Sequence, residues 1–231
     1  MEDERESVSN QFKIRDDRIY ELEQEKVELR KEIDNIAQYN RRDNLKIVGV
    51  PFNEGEDVRD IVKKIAKHTT GEDLEDADIS VAHRLMSKDD RSTTNNQNTA
   101  NGTPKKHPNI MVKFASGFKK TKVFDSRKKT TSEPGCPYPN IAIYEDVTPL
   151  RSRMLYALRN RKESGDPNKK LYRYVWSKNG RIYALTEQEV TAADQLNRPK
   201  PKIVNCPQDL AHLGFTGKEI EDIIHNRNKF T

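Results

Sequence analysis

The chain has 231 residues, of which 33% are hydrophobic and 34% charged, with a net charge of +5. This balance excludes one large core, because the apolar surface is too scarce to offset the ordering of so long a chain, and it points to small domains on a polar scaffold. No apolar run approaches the roughly eighteen residues of a membrane span, the start Met1-Glu2-Asp3-Glu4 is acidic unlike a secretory signal, and Cys136 and Cys206 stand alone, so we expect a cytoplasmic protein, with a nuclear location also open, that has reduced thiols and no membrane association.

The first forty residues carry apolar side chains four and three apart. Counting from Ile19, the repeating positions are Val8, Phe12, Arg15, Ile19, Leu22, Lys26, Leu29, Ile33, Ile36 and Asn40, and seven of these ten are apolar. Neither Pro nor Gly interrupts the run, so the spacing predicts a coiled-coil stem over residues 1–42 and a homo-oligomer built on Val8, Phe12, Ile19, Leu22, Leu29, Ile33 and Ile36. The alternative is an amphipathic helix folded back on its own domain, for which a stripe of two positions in seven is narrow. With Ile19 and Ile33 at heptad position a and Leu22 and Leu29 at d, the pattern leans toward two strands, and Lys26 and Asn40 are polar residues at a that set register.

A strand-like run, Leu45 to Val50, follows the stem. Asp57 is placed to cap a helix whose buried stripe is Val58, Ile61, Val62, Ile65 and Ala66, and Gly71 ends it. Ile79 to Leu85 reads as a second strand, residues 87–107 as a flexible polar loop, and Asn109 to Phe114 as a third strand. A basic helix over Gly117 to Lys129 and a fourth strand over Asn140 to Tyr144 complete the order strand, helix, strand, strand, helix, strand. That order over residues 43–146 is the split βαβ arrangement of RNA-recognition modules, which leaves one sheet face open for binding.

Residues 147–231 read as a small α+β unit, so the whole chain is assigned to the α+β class. Thr148 and Pro149 open a helix carrying Leu150, Met154, Leu155 and Leu158. Leu171 to Trp176 and Arg181 to Leu185 form a hairpin through Asn179-Gly180, and two short helices follow, one near Pro207 and one around Ile220, Ile223 and Ile224.

Nothing in the chain matches a phosphate-binding Gly-rich loop, a His-Glu-x-x-His metal motif or a Gly-x-Ser-x-Gly nucleophile, and the carboxylates do not cluster. We therefore expect no catalytic residues, no metal site and no cofactor. Charge is the stronger signal. Residues 1–40 carry 7 Lys/Arg against 12 Asp/Glu, or −5, so the remainder carries +10; between Lys105 and Leu185 there are 19 Lys/Arg against 6 Asp/Glu, or +13. An acidic stem bearing a basic body suits a polyanion, here single-stranded RNA or DNA, because each neutralised phosphate releases condensed counterion. The expected contacts are Arg84, Lys119, Lys120, Lys122, Arg151, Arg153, Arg159, Arg161, Lys178 and Arg181. Strict alternation places Tyr172, Tyr174 and Trp176 on one side of the hairpin, where they either stack on bases or form the core of the small unit.

These stretches also carry a family resemblance. Arg41-Arg42-Asp43-Asn44-Leu45-Lys46-Ile47-Val48-Gly49-Val50-Pro51 and Val81-Ala82-His83-Arg84-Leu85 resemble the first-open-reading-frame proteins of LINE-type retrotransposons. Tyr144-Glu145-Asp146-Val147-Thr148-Pro149 and Val175-Trp176-Ser177-Lys178-Asn179-Gly180-Arg181-Ile182 are similar to the C-terminal domain that insect transposon proteins share with the baculovirus few-polyhedra (FP) protein. The resemblance implies a trimeric stem, with Arg18 to Glu23 as a trimer-favouring pattern, and a nucleic-acid chaperone whose RNA path is lined by Arg84 and the helix from Arg151 to Arg161. It equally admits an FP-type assembly protein acting through protein contacts. The third strand, Ile110 to Phe114, lacks the aromatic-rich signature of such modules.

Overall fold

A computed structural model of the chain describes residues 2–86, 107–132, 135–138, 140–191 and 199–225. Of the loop expected over 87–107, all but His107 lies outside the described residues. Helix α1 (Glu2–Asn40) runs unbroken, as its freedom from Pro and Gly allows. Its repeating residues Val8, Phe12, Ile19, Leu22, Leu29, Ile33 and Ile36 are 47–65% exposed in the single chain. The helix does meet its own body, but with a different face: Val27, Arg30, Lys31, Asp34, Ala37 and Gln38 are the residues whose exposure falls.

The body begins with a four-stranded sheet in the order β2-β3-β1-β4, antiparallel throughout, formed by β1 (Asn44–Val48), β2 (Ile79–Leu85), β3 (Asn109–Phe114) and β4 (Ala142–Glu145). Helices α2 (Val58–Thr70) and α3 (Gly117–Asp125) follow β1 and β3, giving the split βαβ arrangement expected from the sequence. Asp57 accepts from the backbone N–H groups of Arg59 and Asp60, and Gly71, at φ +77°, closes α2 in the left-handed conformation. Leu45, Ile47, Ile65, Ile110, Val112, Phe114 and Ile143 are sealed in the core these elements enclose. The basic helix is shorter than expected: it stops at Asp125, and a separate turn, α4 (Lys129–Ser132), follows.

A second core lies in the C-terminal unit, around Met154, Leu158, Tyr172, Ile182, Ala184 and Leu210. Thr148 caps α5 (Pro149–Asn160). A small pair, β5 (Lys162–Glu163) and β6 (Asp166–Lys170), precedes a three-stranded antiparallel sheet of β7 (Tyr172–Lys178), β8 (Arg181–Thr186) and β9 (Lys202–Val204). The short helix α6 (Glu187–Thr191), a 3-10 segment (Pro207–Leu213) and α7 (Gly217–His225) complete the chain. Strands β5, β6 and β9 were not foreseen: β5 and β6 are short and polar, and β9, with Ile203 and Val204, is only three residues long, too short for alternation to announce it.

Stem, first sheet and C-terminal unit are tied together by buried polar groups. The Gln38 amide donates to the Asp146 carbonyl at 3.1 Å and accepts from the Thr148 N–H at 3.0 Å. Asp34 takes Arg151 at 2.7 Å and the Thr148 hydroxyl, while Arg41 reaches Asp146 at 3.0 Å. Between the domains, Glu145 accepts from Lys120 at 2.7 Å and from the backbone N–H of Asn179 at 2.8 Å. The hairpin tip has φ of +52° at Asn179 and +76° at Gly180, the two positive values of a type I′ turn. A Cβ on Gly180 would stand 2.6 Å from Gln38, so glycine is demanded there by packing as well as by φ.

Candidate nucleic-acid interface

The first sheet has one face on its helices and one bare. Alternation assigns Leu45, Ile47, Ile110, Val112 and Ile143 to the core, which sends their neighbours outward. Lys46 stands opposite Tyr144 on one side and Met111 on the other, and Lys113 is paired with Asn44 and Val81. His83, opposite Met111, and Leu85, opposite Asn109, extend the face along β2, and Val48 and Ala142 finish it toward β4. None of these residues is acidic. Lys46 and Lys113 have no ion-pair partner among the described residues, and Tyr144 and Val81 are about half exposed. The surface therefore offers uncompensated positive charge, an aromatic ring and apolar ground to lie against.

Several of the cations expected at the interface are turned inward instead. Arg84 points to the core side of β2, its side chain 5% exposed: it pairs with Glu56 at 2.6 Å and donates to the carbonyls of Val50, Pro51 and Pro108. Lys120 is buried against Glu145, and Arg151 is held by Asp34, Asn35 and the Gly180 carbonyl. Arg153 donates to the carbonyls of Ile223 and Ile224, and Arg161 lies over the Phe215 ring and pairs with Glu219 at 2.6 Å. These five act as internal braces, which corrects the expectation that they line a nucleic-acid path. Lys119 and Lys122 are more open but bridge to Asp78 and Glu72, and the Lys122 ammonium holds the Glu72 carboxyl below its ordinary range. Arg159 is exposed, donating weakly to the Val175 carbonyl. The structure thus does not gather the expected set into one patch.

The hairpin aromatics separate as well. Tyr172 pairs with Thr186 but Tyr174 with Leu185, so Arg173 is an extra residue and the alternation slips there by one. Tyr172 consequently falls on the inner side with Ile182 and Ala184, 2% exposed, and burial pushes its phenol above the ordinary value. Tyr174 is 49% exposed on the outer side, where Trp176 stacks on its cross-strand partner Tyr183 with ring centroids 5.4 Å apart. Sequence reasoning missed Tyr183 because it looked along one strand, whereas the platform forms across two. Lys178 sits 3.7 Å from Asp125. Arg181, across the turn, is exposed and has no ion-pair partner among the described residues.

Arg181 also lines a cleft of about 700 Å³ where the end of the stem, α3 and the hairpin tip converge. Asn35, Tyr39, Thr121, Asn179 and Asn205 line it as neutral polar groups, Gln38, Lys120 and Arg151 as buried ones, and Arg42 shares it with Asp43, to which it bridges at 3.4 Å. The Arg42 guanidinium lies 3.8 Å from the centroid of the exposed Tyr39 ring, so cation and ring present one flat, charged surface. Lys46, Lys113, Tyr144, Tyr39 and Arg42 were not among the expected contacts, although a strand-period reading of β1 would have placed Lys46 on the open face.

Among the described residues no helix is long and apolar enough to cross a membrane. No protein-family model matches the chain, and no curated protein matches it significantly.

Proposed function

We propose that the chain is a nonenzymatic, self-associating protein that binds single-stranded RNA or DNA through phosphate contacts with little sequence preference, and acts as a nucleic-acid chaperone of the kind that packages a retrotransposon transcript. The observation that carries this reading is the acid-free face of the four-stranded sheet, where Lys46 and Lys113, without ion-pair partners among the described residues, stand beside the exposed Tyr144. Cations so placed hold phosphates, and a ring between them stacks on a base, a combination that tracks a flexible strand without reading it. Arg181 and the Tyr39-Arg42 pair give a second foothold in the cleft. Self-association is supported by the half-exposed apolar stripe of α1, which the chain's own body leaves bare.

One observation favours the other reading, an FP-type assembly protein working through protein contacts: much of the positive charge is consumed by internal carboxylates, as at Arg84, Lys120, Arg151 and Arg161. Binding of the full chain to an unstructured oligonucleotide decides between them. Affinity that falls steeply with salt supports the first, and absence of binding at low salt supports the second.

A further inference from the structure

We propose that the groove between α1 and the C-terminal unit is the seat of a second copy's stem, so that each body braces a neighbouring helix as well as its own. This rests on the reading of the stem as self-associating and adds to it a surface outside the stem, a direction and a register.

The heptad supplies the geometry. With Ile19 and Ile33 at a, the residues that hold the chain's own body, Asp34, Gln38 and Arg41, occupy b and f, the side of the helix away from the apolar stripe. Beside them a groove of about 810 Å³ runs between Val27, Arg30, Ile33 and Ala37 of the stem and Leu150 and Ile224 of the C-terminal unit. Arg30 and Ala37 are e positions and Ile33 is an a position, so the groove opens directly onto the exposed stripe. A helix laid along that stripe carries its own g residues over the groove.

Charge selects the occupant and its direction. Within the groove Lys31 is engaged by Glu28, Arg41 by Asp146, Asp34 by Arg151, and Glu221 lies 2.8 Å from His225. Arg30 alone of its charged stem residues has no ion-pair partner among the described residues. The g positions of a second stem are Arg18, Glu25 and Glu32. In a parallel, in-register pair, Arg18 meets Glu23 and Glu25 meets Arg30, both opposite in sign, and Glu32 faces the small Ala37 at the mouth of the groove. Among the described residues Glu23, Glu25 and Glu32 are without ion-pair partners, as Arg30 is; the apposition pairs Glu25 with Arg30 and brings Glu23 to Arg18, which already bridges to Glu21 within its own helix.

Light scattering of the full-length protein over a concentration series tests the proposal with four variants: Arg30→Glu, Glu25→Arg, the two combined, and Ile224→Glu. Ile224 lies outside the C-terminal core and is partly exposed, and Ile203→Glu, on the exposed side of β9 and not among the groove's lining, is the control. Either single charge reversal is expected to weaken self-association about tenfold or more, and the combination to restore it to within about twofold. Ile224→Glu is expected to weaken it by a similar factor with an unchanged circular dichroism spectrum, and Ile203→Glu to leave it alone. An oligomeric wild type indifferent to Ile224→Glu overturns the groove as the seat, and failure of the combined variant to recover overturns the parallel register. A monomeric wild type overturns the stem reading itself and this inference with it.

Discussion

Replacing Lys46 and Lys113 together by alanine removes the charge on which the nucleic-acid reading depends while leaving the fold alone, because both side chains leave the open face of the sheet. The β1–β3 register sets Lys46 opposite Met111 and Lys113 opposite Asn44, so the two lysines are diagonal neighbours, about 7–8 Å apart, close enough to hold one strand. Each phosphate held on a single strand contributes about −0.7 to the slope of log affinity against log salt, so losing two contacts should flatten that slope by about 1.4. By the same relation the affinity falls about 25-fold near 0.1 M salt, and the two proteins converge as salt approaches 1 M. Fluorescence anisotropy of a labelled, unstructured oligonucleotide, titrated at several salt concentrations, reads both quantities. Parallel lines for wild type and variant would refute the reasoning, since an unchanged slope means that neither lysine meets a phosphate.

Further expectations concern the braces and the rings. Glu145→Ala strands Lys120 in a buried site and deprives the Asn179 N–H of its acceptor, so it should cost about 3–5 kcal/mol in urea denaturation; a loss below about 1 kcal/mol would show that the junction between the domains is not held there. Tyr172→Ala should destabilise the C-terminal unit by about 3–5 kcal/mol as a core truncation, whereas Tyr174→Ala should leave the melting temperature unchanged, and equal effects would contradict the slipped register of β7. Glu219, which accepts from the Thr216 N–H at 2.7 Å and faces Arg161, has a carboxyl held below its ordinary 4.5. Because its folded value is depressed, its contribution is fully present above the ordinary value and is lost as pH falls through the lowered one. The stability gap between wild type and Glu219→Gln should therefore close on acidification, and a gap constant with pH would argue against the charged carboxylate as the source.

The elements were legible where local chemistry is periodic. The cap at Asp57, the glycine stop at Gly71, the Asn179-Gly180 turn and the alternating strands of the first sheet all follow from residues within a few positions of one another. The interface was not, and β2 shows why. Its more apolar residues, Val81 and Leu85, suggest a buried face, yet they are on the open side, because the pairing shifts between Ile79 and Val81 and so puts Ala82 and Arg84 inward. One extra residue inverts the meaning of every position after it, and the same slip at Arg173 divides Tyr172 from Tyr174. Net charge is ambiguous for a related reason. A lysine-rich stretch counts equally whether its cations face solvent or meet carboxylates more than a hundred residues away, as Arg151 meets Asp34. Since pairing removes a cation from the solvent-facing field and an open strand face does not, the polyanion affinity of this chain should follow Lys46, Lys113 and Arg181 rather than the +13 of its basic segment.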